Sequence, residues 1–142
     1  MWTKLIAKVW PGAVFNAPVS SETLRLVENR LGQPLPDELE SLLRHTDGVR
    51  RSDGTELVWS VERIIEDNDF FRHDERFSEL YMPLEPLLFF GDADEGEQCA
   101  FVRRPERPDV FVWRHANDDR LWVADDLRDY LTRYLVGPGR AE

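Results

Sequence analysis

Between Leu87 and Arg114 three strand-like runs, Leu87–Phe90, Gln98–Arg103 and Val110–Arg114, are separated only by short breaks rich in Gly, Pro and Asp. A parallel crossover needs a dozen or more residues, usually a helix, and these breaks are too short to hold one. The runs therefore predict antiparallel hairpins. Leu57-Val58-Trp59 and Leu121-Trp122-Val123 read as two further short strands. Helical patterns bracket them. Trp2, Leu5, Ile6, Val9 and Trp10 share one helical face before Pro11-Gly12. Ser20 or Ser21 can cap a second helix running to Arg30, with Leu24, Val27, Glu28 and Leu31 inward and Gly32 as its stop. Pro36 suits the first turn of a third helix, with Leu39, Leu42 and Leu43 as its apolar stripe and Gly48 as its stop.

Ser60 can cap a helix carrying Val61, Ile64 and Ile65, after which EDNDFFRHDERFSEL is polar with scattered Phe and reads as helix or irregular loop. Asp125-Asp126 opens a last helix with Leu127, Tyr130, Leu131, Tyr134 and Leu135 on one face. The fold class this order predicts is α+β: an antiparallel sheet of about four to six strands, with N-terminal helices and a C-terminal helix packed on it. The strands fall at roughly 56–60, 86–91, 98–103, 109–114 and 121–123, from the pattern of apolar runs and breaks. Leu39, Leu42, Leu43, Phe101, Val110, Val112, Leu127 and Leu131 are expected in the core, with at least one of Phe89 and Phe90. At 142 residues the chain is expected to form a single domain over 1–142.

The charge is unevenly placed. The formal net charge is −10, and residues 53–97 hold fourteen Asp and Glu against three Arg. Residues 1–50 and 98–142 are each balanced. An acidic middle segment repels phosphates and anionic lipids and attracts basic proteins, so direct nucleic-acid and membrane binding are not expected. No apolar run approaches the roughly 18–20 residues of a membrane helix. The start, MWTKLIAKVWPG, is not a secretory signal, because Lys8 interrupts its apolar stretch and no small-residue cleavage site follows. Cys99 is the only cysteine and reads as a small buried hydrophobe, in keeping with a reducing cytoplasm.

The densest acidic stretch is FFGDADEGEQCAFV at 89–102. Tested as a calcium loop starting at Asp92, it places Gly96 and Glu97 where an Asp or Asn and a Gly belong, and Arg103 where a Glu belongs. A phosphate cradle needs N–H groups free of negative neighbours, and here four acids stand without a base. His45 with Asp47, and His73 with Asp74 and Glu75, are His–acid neighbours with no nucleophile motif beside them. A paired-carboxylate hydrolase needs no fixed spacing and stays open at this point. The direct reading is a strand–turn–strand whose Gly91 and Gly96 permit the turn and whose acids face solvent.

LGQPLPDELESLLRHTDGV at 31–49, LVWSVERI at 57–64, LLFFGDADEGEQCAFV at 87–102, DVFVWRHANDD at 109–119 and DDLRDYLTRYL at 125–135, taken in order, resemble the SUKH superfamily. Leu35-Pro36, Asp47-Gly48, Gly91-Asp92 and Trp113 stand where the family pattern has its turns and its aromatic, and the resemblance covers about residues 20–136. Ala93, Asp94 and Glu95 stand where members often have a glycine-richer turn. The resemblance implies a non-catalytic binding protein; separately, no cofactor or metal is expected, although a weak cation site at Asp92, Asp94 and Glu95 stays open. Its members include fungal cell-wall assembly regulators, which carry long flanking regions, and many bacterial immunity proteins.

For a chain this short the resemblance implies the bacterial type, an immunity protein that neutralises a cognate toxin domain in the cytoplasm. That toxin is expected to be basic, of the nuclease or deaminase kind. The alternative is an intracellular regulatory or scaffold module of the same fold. The expected partner-binding residues are Asp92, Asp94, Glu95, Glu97, Asp67 and Asp69, all within the acidic segment. The protein itself is expected to be a monomer or weak dimer.

Overall fold

The computed structural model describes residues 2–76, 82–84, 86–93, 96–103, 105–114 and 116–136. Helix α1 (Trp2–Val9) leads into strand β1 (Val14–Phe15), then α2 (Ser21–Leu31) and α3 (Asp37–Leu43). Strands β2 (Val49–Arg50) and β3 (Glu56–Val58) precede α4 (Val61–His73). The hairpin strands β4 (Leu87–Asp92), β5 (Gln98–Arg103), β6 (Glu106–Arg114) and β7 (Asp119–Ala124) follow, and α5 (Leu127–Asp129) runs on as a π-helical segment, Tyr130–Tyr134. This is the α+β class, with every strand pairing antiparallel.

The strands form two sheets rather than one, in the orders β1-β2-β3 and β4-β5-β6-β7. β1 and β2 are only two residues long, too short to leave a periodic trace in the sequence. The sheets meet where β3 passes β4: the Trp59 N–H donates to the Phe90 carbonyl at 2.7 Å. Gly91 makes that approach possible, since a Cβ there would stand 2.2 Å from the Leu57 carbonyl oxygen.

Local signals explain the helix boundaries. Ser20 Oγ accepts from the Thr23 N–H, and Gly32, at φ +69°, closes α2 by donating to the Glu28 carbonyl. Ser60 caps α4 in the same way, through the Arg63 N–H. α4 continues through the polar stretch to His73. α3 ends at Leu43, short of Gly48. Thr46 intervenes, its hydroxyl donating to the Gly48 carbonyl at 2.7 Å and accepting from the Asn16 N–H at 2.8 Å.

The β4–β5 half of the four-stranded sheet is buried on both faces. Phe89 packs edge-on against Phe71 of α4 and lies 5.2 Å from Trp113. On the opposite face Phe90 stacks on Phe101 at 4.6 Å and meets Tyr130. Both phenylalanines are fully buried, as are Leu39, Leu42, Leu43, Phe101, Val110, Val112, Leu127 and Leu131. At the tip of the β6–β7 hairpin Asp118, a non-glycine at φ +59°, accepts from the Trp113 indole at 2.9 Å, from Arg120 at 3.0 Å and from the Met82 N–H at 3.0 Å. It thereby ties the segment before β4 to the far end of the sheet.

β4 is an edge strand, and Asn68 covers part of its edge. The fully buried Asn68 side chain accepts from the Phe89 N–H at 2.8 Å and donates to the Phe89 carbonyl at 2.8 Å, the two bonds a neighbouring strand would make. Its amide also reaches the Ile64 carbonyl at 2.7 Å. Asn68→Ala leaves a buried N–H and C=O without partners, and urea melts should show a loss of about 2–5 kcal/mol. A loss below about 1 kcal/mol would mean that water or a shifted strand takes over the edge.

Candidate functional site

The acidic residues of the middle segment divide into two groups. Arg63 gathers the first. It lies on α4 three residues past the Ser60 cap, over the Trp59 ring at 4.3 Å. Its guanidinium donates to both Asp92 oxygens, at 2.9 and 3.0 Å, and its Nε donates to Asp67 at 2.9 Å. It also donates to Glu56. Burial opposes the charge on Arg63, but Asp92, Asp67 and Glu56 outweigh it, so its pKa stands above that of an ordinary guanidinium. Glu56 comes from β3, Asp67 from α4 and Asp92 from the end of β4, so one cation joins both sheets to the helix.

Asp92 and Asp67 are therefore engaged within the molecule, with side-chain exposures of 24% and 33%. Glu97 is also paired, accepting from Arg114 Nε at 2.6 Å across the hairpin. The Ala93 N–H to Glu97 carbonyl bond closes the β4–β5 turn at 2.7 Å, with Gly96 at φ +77°. Asp94 and Glu95, expected in the contact, lie outside the described residues. Asp53 pairs with Arg51, whose hydrogen bond holds its carboxyl below the usual range.

The second group faces solvent. Asp69 is exposed and, among the described residues, approaches His73 of its own helix, at 3.0 Å. Glu62 and Glu66 are exposed on the same side of α4, about three and two turns before His73 in the helical stripe 62, 66, 69, 73. Phe70, 46% exposed, borders that stripe. Sequence reasoning placed weight on the glycine-flanked loop, named Asp69 but not Glu62 or Glu66 of the α4 stripe, and missed Arg63. The available signal for Arg63 was its isolation: one of three arginines among fourteen acids, four residues before Asp67 on a capped helix.

Little in the described residues serves catalysis. No group of three or more His, Cys, Asp or Glu among them is placed to hold a metal ion. Cys99 is buried, and desolvation pushes its thiol pKa far up, which disfavours the thiolate. His45 and His73 each turn Nδ1 to a backbone carbonyl of their own helical turn. No described helix is long and apolar enough to cross a membrane.

Two antiparallel sheets joined through an arginine-centred carboxylate cluster and flanked by helices define an α+β fold, with Glu62, Glu66 and Asp69 exposed along α4. The chain belongs to the SMI1 / KNR4 family (SUKH-1), whose family model matches residues 18–133. No curated protein matches it. Leu35-Pro36, Gly91-Asp92 and Trp113 all lie within that span and have physical work in this fold: Pro36 leads into α3, Gly91 admits β3, Asp92 holds Arg63 and Trp113 donates to Asp118.

The two groups of carboxylates should respond differently to neutralisation. Asp92→Asn should lower stability by about 1–3 kcal/mol in urea melts, because it weakens a two-pronged charged hydrogen bond. Asp69→Asn should leave the midpoint unchanged within error. Equal effects would contradict the division.

Proposed function

We propose that this protein is a non-catalytic immunity-type binding protein that neutralises a toxin domain with a basic surface, acting in the cytoplasm. Family membership supports a protein-binding role. The observation that carries the proposal to a basic partner is the concentration of acidity: the formal −10 of the whole chain comes from residues 53–97. A toxin that acts on nucleic acid needs a basic substrate groove. An acidic surface is steered toward such a groove and can occlude it.

Within the acidic segment the proposed contact is led by Asp69 with Glu62 and Glu66, the carboxylates that α4 leaves exposed, and extends to the turn bearing Asp94, Glu95 and Glu97. Asp92 and Asp67 contribute by holding α4 to the end of β4 through Arg63. Phe70 supplies an apolar contact beside the stripe.

The test is binding kinetics and growth rescue with the cognate toxin domain. Glu62→Gln, Glu66→Gln and Asp69→Asn together should slow association by tenfold or more and weaken rescue. Glu22→Gln with Asp125→Asn, which neutralise exposed acids elsewhere, should do neither. The association rate should also fall as salt rises from about 0.1 to 1 M and the screening length shrinks from about 10 to 3 Å. Salt-independent association, or equal loss from both sets of variants, would remove the acidic face from the contact.

A further inference from the structure

Away from the acidic segment, a cleft of about 450 Å³ opens between the start of α3 and the β5–β6 hairpin. Pro36 and Pro108 form apolar walls, with Phe101 beneath. Arg103 lines it from β5 and is only 8% exposed. This buried guanidinium is poorly answered. Its Nε has no hydrogen-bond partner. One terminal nitrogen reaches the Arg107 carbonyl at a long 3.4 Å. The other stops 3.7 Å from Glu106, beyond hydrogen-bond range. Buried charged donors in native structures are normally satisfied, so a guanidinium left this way points to an absent acceptor.

Across the cleft stands Glu38, half-buried on α3. One oxygen accepts from the Leu127 N–H at 2.9 Å, and burial raises the carboxyl pKa above its usual value. Arg103 and Glu38 do not form an ion pair with each other among the described residues. The hairpin side of the cleft thus carries Arg103, with Glu106 and Arg107, and the α3 side carries Glu38 with Asp37. A simple anion would satisfy Arg103 but would face Glu38 and the rim carboxylates of Asp37 and Asp125. A simple cation would leave Arg103 unanswered. A ligand carrying both charges close together satisfies both sides.

We propose that this cleft binds a small zwitterion of the α-amino-acid class, its carboxylate on Arg103, its ammonium toward Glu38 and an apolar side chain between Pro36 and Pro108. The site is separate from the partner face on α4 and does not depend on it.

The test is titration of the intact protein with L-leucine, N-acetyl-L-leucine and L-leucinamide, followed by amide chemical shifts and calorimetry. L-leucine should bind saturably and move amides of residues 37–38 and 101–107. The derivative lacking the ammonium and the derivative lacking the carboxylate should each bind at least tenfold more weakly. Glu38→Gln keeps an oxygen for the Leu127 N–H and should weaken L-leucine tenfold or more; Arg103→Gln should do the same. If Arg103→Gln fails to fold, the ligand series on the unaltered protein still decides. No saturable binding up to about 20 mM, equal binding of the three probes, or shifts confined to another surface would overturn the proposal.

Discussion

The arrangement of this protein depends on the Arg63 guanidinium. Three carboxylates from three elements would repel one another if brought together alone. Arg63 lets Glu56, Asp67 and Asp92 converge, and Trp59 supports it from beneath. The same junction requires Gly91, because the Leu57 carbonyl occupies the space of a side chain. Backbone contact between the sheets and the charge cluster above it are therefore two parts of one joint. Partly buried ion pairs gain little on their own, but a bidentate pair within a network fixes geometry as well as energy.

The apolar core fills in around that joint. The four-stranded sheet carries aromatic side chains on both faces, with Phe71 of α4 covering one and Tyr130 the other. Its β4 edge is closed in two ways, by β3 at Phe90 and by the Asn68 side chain at Phe89. α4 thus contributes to the core, to the edge of the sheet and to the charge cluster, and its remaining face is left acidic and exposed. The proposed contact rests on that last face.

Much of this was legible in the sequence because it is local. Ser20 and Gly32 mark α2, Ser60 marks α4, and apolar spacing placed all eight expected core residues inside. What was not legible arises from contacts distant in sequence. β1 and β2 exist because Val14 and Phe15 find Arg50 and Val49, not because two residues have a strand pattern. The polar stretch after Ile65 looked ambiguous since Asn68, its buried face, bonds to a strand twenty-one residues away. Among the expected site residues, Asp69 is exposed and meets only a histidine of its own helix among the described residues, while Asp92, Asp67 and Glu97 have arginine partners that composition cannot assign. Net charge counts carboxylates without saying which are already paired.

The central claim is that Asp92 belongs to an internal joint with Arg63 while the acids of α4's outer face remain free for a partner. A double-mutant cycle on stability tests it most directly, combining Arg63→Met with Asp92→Asn. The account predicts a coupling of about 1 kcal/mol or more, and additivity within about 0.3–0.5 kcal/mol when Arg63→Met is combined instead with Asp69→Asn. Additivity of Arg63→Met with Asp92→Asn would contradict it.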